Sequence, residues 1–483
     1  MPDLCAAVFF GLGLAASATS NVSTRHSARE MPDAKVDALF AAWAKPDVPG
    51  AALAVIKDGR VIYEKSYGMA DLERNVPINS TTVFDIGSTS KQFTAMSVFL
   101  LAQQGKLSLD DDIRQYVPEL PRYPERVNIR HLLHHTSGIR DYLDLLDLAG
   151  LREENEYSEG QIIDLLARQE ELNFPPGEAH LYSNSGYFLL AVVVKRATGK
   201  TLRTFAEENI FRPLGMTHTH FHDDFTEIVK NRAIAYQPRP KDGFALDVSL
   251  SNIVGDGCLF TTVADLAKWD QNFYDNRLAG GRHLTELMQT PGKLNNGTVL
   301  SYASGLVIED YRGLPTVSHG GAWSGYRAEL LRFPTHRFSV IIVSNRADSD
   351  PSALARKIAE IYLGDQLAAE KVQAKPEARP TGDLVAQTPP LATVDVTPKA
   401  LADLGGAYAS KELGVTYRLS VDDGSVLLAN GMSLEIVPLR PSKPDEFHAL
   451  GRVLRFERND HQQIVGFRLD SERVKNLKFV KQH

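Results

Sequence analysis

Cysteine is nearly absent. Cys5 and Cys258 are the two in 483 residues, too few for a disulfide framework, so a large apolar core must hold the fold. No apolar run reaches the length of a membrane span. No block of Lys and Arg occurs, and a net charge of −7 speaks against nucleic acid as a partner. The Gly-x-Ser-x-Gly elbow is missing, which closes the α/β-hydrolase route to a nucleophilic serine. A His-Glu-x-x-His helix and a phosphate-binding loop are missing too.

What remains is an ordinary globular composition, 43% hydrophobic and 23% charged, long enough for two or three domains. The chain is organised around Phe84–Gly105. From Lys91 on, Phe93, Met96, Leu100 and Leu101 fall on helical spacing, while Ala95, Val98 and Phe99 widen the apolar surface. Such a helix belongs in the middle of a domain, and Gly105 is a natural stop. Ser88-Thr89-Ser90 supplies hydroxyls suited to its start. Ser88 and Lys91 lie three residues apart, which places both side chains on one face. A serine hydroxyl is a weak nucleophile until a neighbouring base takes its proton, and a lysine held out of water can do so. Ser-x-x-Lys recurs by chance in a chain this long, so its weight rests on its company.

The chain divides readily. Leu4–Ala16 is apolar and Ala16-Ser17-Ala18 fits a cleavage site, so residues 1–18 are expected to be a signal peptide, although Asp3 replaces the usual basic start. A periplasmic or secreted protein follows. Cleavage there would leave Cys258 alone, and beside Leu259-Phe260 it reads as a small buried hydrophobe. Val36–Trp43 has helical periodicity, and Ala51–Ile56 and Val61–Tyr67 around Asp58-Gly59 predict a β-hairpin. Residues 107–288 read as helical and irregular. Gly305–Asp310, Thr316–His319, Ala328–Phe333 and Ser339–Ser344 read as short strands, and Ser352–Leu363 as a closing helix. The fold class is α+β: an antiparallel sheet of early and late strands flanked by helices, plus a helical region, over 33–365. Residues 366–398, rich in Pro, Ala and charge, predict a linker, and 399–483 a small C-terminal β-barrel or sandwich domain.

Three further features bear on Ser88. Tyr182-Ser183-Asn184 follows a Pro-Pro-Gly turn and can aim a phenol and a carboxamide into one cavity. Ser318-His319-Gly320-Gly321-Ala322 ends a strand-like run, where glycines let a substrate approach a backbone N–H. Gly255-Asp256-Gly257 is expected to wall the cleft.

The order SxxK, YxN, then HxG on a late strand resembles the serine β-lactamase and penicillin-binding-protein superfamily. Its branch with class C β-lactamases, D-alanyl-D-alanine carboxypeptidases, D-aminopeptidases and family VIII esterases is the most similar. Val48-Pro49-Gly50, Leu132–Gly138 (LLHHTSG), Tyr182–Tyr187 (YSNSGY) and Pro213-Leu214-Gly215-Met216 carry the resemblance, which runs from about Val36 to Leu363. It implies a serine hydrolase working through an acyl-Ser88 intermediate. Lys91 and Tyr182 would share the base and acid roles and Asn184 would hold the substrate amide. Ser88 and Ala322 would give the oxyanion N–H groups. His319 and Gly320 would stand where many members have the lysine and threonine of a KTG triplet, with Gly321 completing HGG. Those two side chains grip carboxylates, whereas His319 is mostly neutral near pH 7 and Gly320 has no side chain. Esterase or D-aminopeptidase-like action is therefore favoured over β-lactamase or carboxypeptidase action. The alternatives are a penicillin-binding or sensor protein that acylates without efficient turnover, or a β-lactamase.

The expected partner is a small molecule or peptide: an ester, a D-amino acid amide or peptide, or a β-lactam. No cofactor and no metal are expected. His218, His220 and His222 would share one face if extended, but they lack a helical metal motif and read as a surface loop. His134 and His135 are expected to support a turn behind the site.

Overall fold

The structure is a computed structural model that describes residues 32–152, 155–369, 398–422, 425–430 and 436–482. The expected signal peptide and residues 370–397 of the expected linker lie outside these.

Six strands form the central antiparallel sheet: β1 (Ala51–Lys57), β2 (Arg60–Tyr67), β3 (Val307–Tyr311), β4 (Leu314–Trp323), β5 (Tyr326–Phe333) and β6 (Phe338–Ser344). Their order is β3-β4-β5-β6-β1-β2, so the first hairpin pairs with the last strand. The run AALAVI of β1 is buried throughout because both faces are covered. Ala52, Ala54 and Ile56 join the large core against the helical region. Ala51, Leu53 and Val55 face a smaller one under helices Pro32–Leu39 and Pro351–Leu363.

Helix α1 (Lys91–Gln103) crosses the large core with eleven buried residues. Each large apolar side chain it buries contributes about 2 kcal/mol. It begins later than its hydroxyls predict. Gly87–Ser90 is a 3₁₀ turn with Ser90 making no side-chain cap. Helix α2 (Tyr142–Leu148) starts at an Asp141 cap, and α3 (Asn184–Thr198) ends at Gly199 in the left-handed conformation.

The C-terminal domain settles as a barrel rather than a sandwich. Eight antiparallel strands close on themselves when Gly406–Ser410 pairs with Leu477–Lys481. Sequence patterning misses Gly406–Ser410 and Glu446–Ala449, because GAYAS and EFHA carry no β-branched residue. The barrel seats on the first domain through buried polar contacts. Arg140 and Glu412, exposed by 0% and 5%, form an ion pair across the interface, and the Tyr417 hydroxyl donates to the Leu148 carbonyl.

Candidate active site

Ser88 reaches its place through two glycines. Gly87 has φ +48, and a Cβ on it would lie 2.8 Å from the Ala322 nitrogen. A Cβ on Gly321 would lie 1.9 Å from the Ile86 carbonyl oxygen. Only with both bare can the turn 86–88 lie backbone to backbone against β4. Asp85 accepts the Gly87 N–H at 2.8 Å, and the Thr89 hydroxyl donates to the His319 carbonyl at 3.2 Å, which pins the turn. The HGGA segment does not end a strand, as its side chains imply. β4 runs on to Trp323, with His319–Trp323 paired to Tyr326–Leu330. Backbone pairing needs no side chains, so glycines hide the strand from a reading by pattern.

Lys91 is fully buried. Its Nζ lies 3.0 Å from Ser88 Oγ, 2.8 Å from Asn184 Oδ1 and 2.6 Å from the Asp256 carbonyl oxygen. The last two can only accept, so a neutral amine would spend its two N–H groups on them and turn its lone pair to the Ser88 hydroxyl. Nζ also sits 4.9 Å from the centroid of the Tyr182 ring. The Tyr182 hydroxyl is buried, and among the described residues it has no hydrogen-bond partner. That is the state of a group waiting for one.

Asn184 opens α3 and is oriented from both ends. Its N–H donates to Asp141 and its Oδ1 receives Lys91. Its Nδ2 is left without a protein partner among the described residues, and Asn184 lines the cleft. His135, at φ +55, packs its ring 4.2 Å from that of Tyr182, tilted by 35°, and accepts the Ser183 N–H at 3.1 Å. His134 meets Ser304 at 3.3 Å.

His319 is buried and faces Tyr302. Its Nδ1 lies 2.6 Å from the Gly320 carbonyl, so it carries the proton, and its Nε2 accepts the Tyr302 hydroxyl at 3.0 Å. Burial, with the nearby Lys91 charge second, pushes its pKa down to about 4.

All eight sequence-predicted site residues except Lys91 line one cleft of about 680 Å³, and Lys91 lies directly beneath it. Asp256 and Gly257 wall it. Burial pushes the Asp256 carboxyl up to about 6, and it accepts the Tyr142 hydroxyl at 2.9 Å. Sequence reasoning misses several contributors, Asp141 and Arg473 among them. Asp141 carries a weak signal as the cap before an apolar run. Arg473 carries none, because it arrives from a hairpin of the barrel. Its guanidinium stands 5.2 Å from the Tyr182 ring centroid and lines the cleft. Asp144 holds that hairpin through the Arg473 N–H at 2.7 Å and the Ser471 hydroxyl at 2.8 Å.

The histidine group is partly assembled elsewhere. His220, His222 and Glu227 place ligand atoms within 4.8 Å of one another, without His218. Both Glu227 oxygens are held by Arg203, at 2.6 and 2.8 Å. A cation would have to displace or tolerate that guanidinium.

The chain is similar to known proteins in sequence and in fold. A family profile described as Beta-lactamase matches residues 36–363. A penicillin-binding protein of Bacillus subtilis (strain 168) is 31% identical over 333 residues, covering 66% of this chain and 72% of that one. A D-aminopeptidase of Brucella anthropi is 30% identical over 65% of this chain, which spans 59% of that relative's length. Among solved structures, the octameric penicillin-binding protein homologue from Pyrococcus abyssi covers 93% of this chain and 99% of its own, with TM-score 0.61 and 23% identity. A D-amino acid amidase from Ochrobactrum anthropi SV3 covers 69% and 98%, with TM-score 0.57 and 22% identity. The chain belongs to the Beta-lactamase family, as a serine hydrolase of that family with a C-terminal antiparallel barrel.

Proposed function

We propose that the protein cleaves an amide or ester of a small molecule or peptide through an acyl-Ser88 intermediate, with D-amino acid amides and peptides the favoured class. The observation that carries the reading is Lys91 Nζ at 3.0 Å from Ser88 Oγ, with two obligate acceptors on its other side. Ser88 Oγ attacks the acyl carbon and its proton passes to Lys91. The oxyanion is received by the N–H groups of Ser88 and Ala322, which the bare Gly87 and Gly321 bring together. The Tyr182 hydroxyl protonates the leaving nitrogen or oxygen and regains its proton from the neighbouring Lys91; water then attacks the acyl carbon, its proton passing through the same pair while Ser88 Oγ leaves and is reprotonated. No step needs a metal or cofactor.

The substrate class is supported by His319, a neutral ring turned to Tyr302, and by Gly320. Neither offers charge or a hydroxyl to a carboxylate. Relatives named D-aminopeptidase point the same way. Export is part of the same proposal.

The test incubates purified protein with short p-nitrophenyl esters, D-alanine p-nitroanilide and a chromogenic cephalosporin, followed by intact mass. Sustained release on the anilide or an ester, lost in Ser88→Ala, is expected. A single burst leaving a stable adduct on Ser88 would make the protein an acylating sensor instead.

A further inference from the structure

The cleft extends past the reacting centre to a carboxylate with no role in acyl transfer. Glu329 on β5 pairs across the sheet with Gly320, so its side chain stands on the face where Gly320 has none. A Cβ built on Gly320 would lie 3.1 Å from Glu329 Oε2 and 3.6 Å from Ser352 Oγ. The missing side chain is therefore a window, and Glu329, Asp350 and Ser352 line the cleft behind it.

Glu329 is only 6% exposed. One oxygen accepts the Ser352 hydroxyl, and the other has no hydrogen-bond partner among the described residues. The charged neighbours do not neutralise it by contact. Arg356 acts on it through space, and Asp350 opposes that effect. A carboxylate removed from water and given one hydroxyl gains most from a cation that can supply several N–H donors.

We propose that Glu329, reached through the window at Gly320, is a recognition carboxylate for an ammonium group of the substrate. This rests on the acyl-Ser88 reading above, because the register of the strand then sets the distance. Gly320 precedes the oxyanion residue Ala322 by two positions, which is about 7 Å at roughly 3.3 Å per residue. The α-ammonium of an aminoacyl substrate lies about 2.5 Å from the acyl carbon and falls short. The matching group stands roughly four to five bonds from the scissile carbonyl, as an aminoalkyl leaving group or as a basic side chain on the acyl part.

Equilibrium binding to Ser88→Ala protein by calorimetry at pH 8 tests this. That pH lies above the value of about 7 to which burial raises the Glu329 carboxyl. The probes are two isosteric pairs. D-alanine N-(2-aminoethyl)amide against D-alanine N-propylamide reads the leaving-group arm, and D-ornithinamide against D-norleucinamide reads the acyl arm. The ammonium member of at least one pair should bind roughly tenfold tighter, the size of one charge-assisted pair. Adding Glu329→Gln should bring that pair within about twofold. Gly320→Ala, which keeps the carboxylate and closes the window, should do the same.

Equal affinity within both pairs, or a preference that survives Glu329→Gln, would overturn the proposal. Wild-type turnover of the same amides separates the two readings. Hydrolysis with no ammonium preference in binding leaves the hydrolase standing and removes the subsite. A Glu329-dependent preference without hydrolysis leaves the subsite standing and removes amide cleavage as the proposed reaction.

Discussion

The two domains bury different things. Beneath the cleft, the catalytic domain holds Lys91, Asp141, Asp256, His135 and Glu329 out of water, each with a small set of oriented partners. The barrel buries rings: Tyr408, Phe447, Phe456, Phe467 and Phe479 pack edge to face, tilted or stacked within it, and its charged Glu412 is buried where it meets the first domain. The contrast separates two tasks. A reaction needs charge and lone pairs kept dry and aimed, at a cost in folding energy. A platform needs only rigidity, which aromatic packing supplies with few polar groups to satisfy, the Tyr408 hydroxyl donating to the Leu404 carbonyl. The barrel reaches the cleft through one hairpin, whose Glu472 and Arg473 line it and which sets Arg473 over the Tyr182 ring.

Four experiments break or sharpen that contrast. Ser88→Ala attacks the reactive centre and should lower turnover by roughly 10⁴-fold or more with the fold intact. A steady rate near wild type would end the nucleophile assignment. Glu412→Ala strands the buried Arg140 charge between the domains and should cost roughly 3–5 kcal/mol in urea unfolding. A loss under about 1 kcal/mol would mean that the interface holds without the pair.

Arg473→Ala should alter binding rather than chemistry, raising KM about tenfold while thermal stability hardly moves. An unchanged KM would reduce the barrel to a support. The smallest effect concerns His319. Its pKa is about 4 when folded against 6.5 in the unfolded chain, so between those values the unfolded chain holds more protons. Stability from this group is therefore complete above about 6.5 and is lost as pH falls toward 4. His319→Gln should flatten the urea-midpoint profile in that window, and an unchanged profile would place the ring in water.

Much of the site was legible. Ser88, Lys91, Tyr182 and Asn184 lie in short motifs whose spacing is local, and α1 declares itself by apolar periodicity. The hairpin β1–β2 was marked by Asp58-Gly59, where both residues adopt positive φ. The length of β4 was not legible, because His319–Trp323 carries two glycines and no pattern. The barrel's closure was not legible either, since it depends on which distant strand Gly406–Ser410 meets.

The sequence by itself determined the family, the order of elements and the identity of the proposed acylation machinery, because those depend on local spacing and on side chains of fixed chemistry. Only the tertiary structure decided what stands around that machinery. Arg473 reaches Tyr182, Asp141 orients Asn184, and Glu329 lies behind the bare Gly320 because segments far apart in the chain pack together. Contacts of that kind are set by how whole faces pack and by backbone approach, and neither leaves a mark on neighbouring residues.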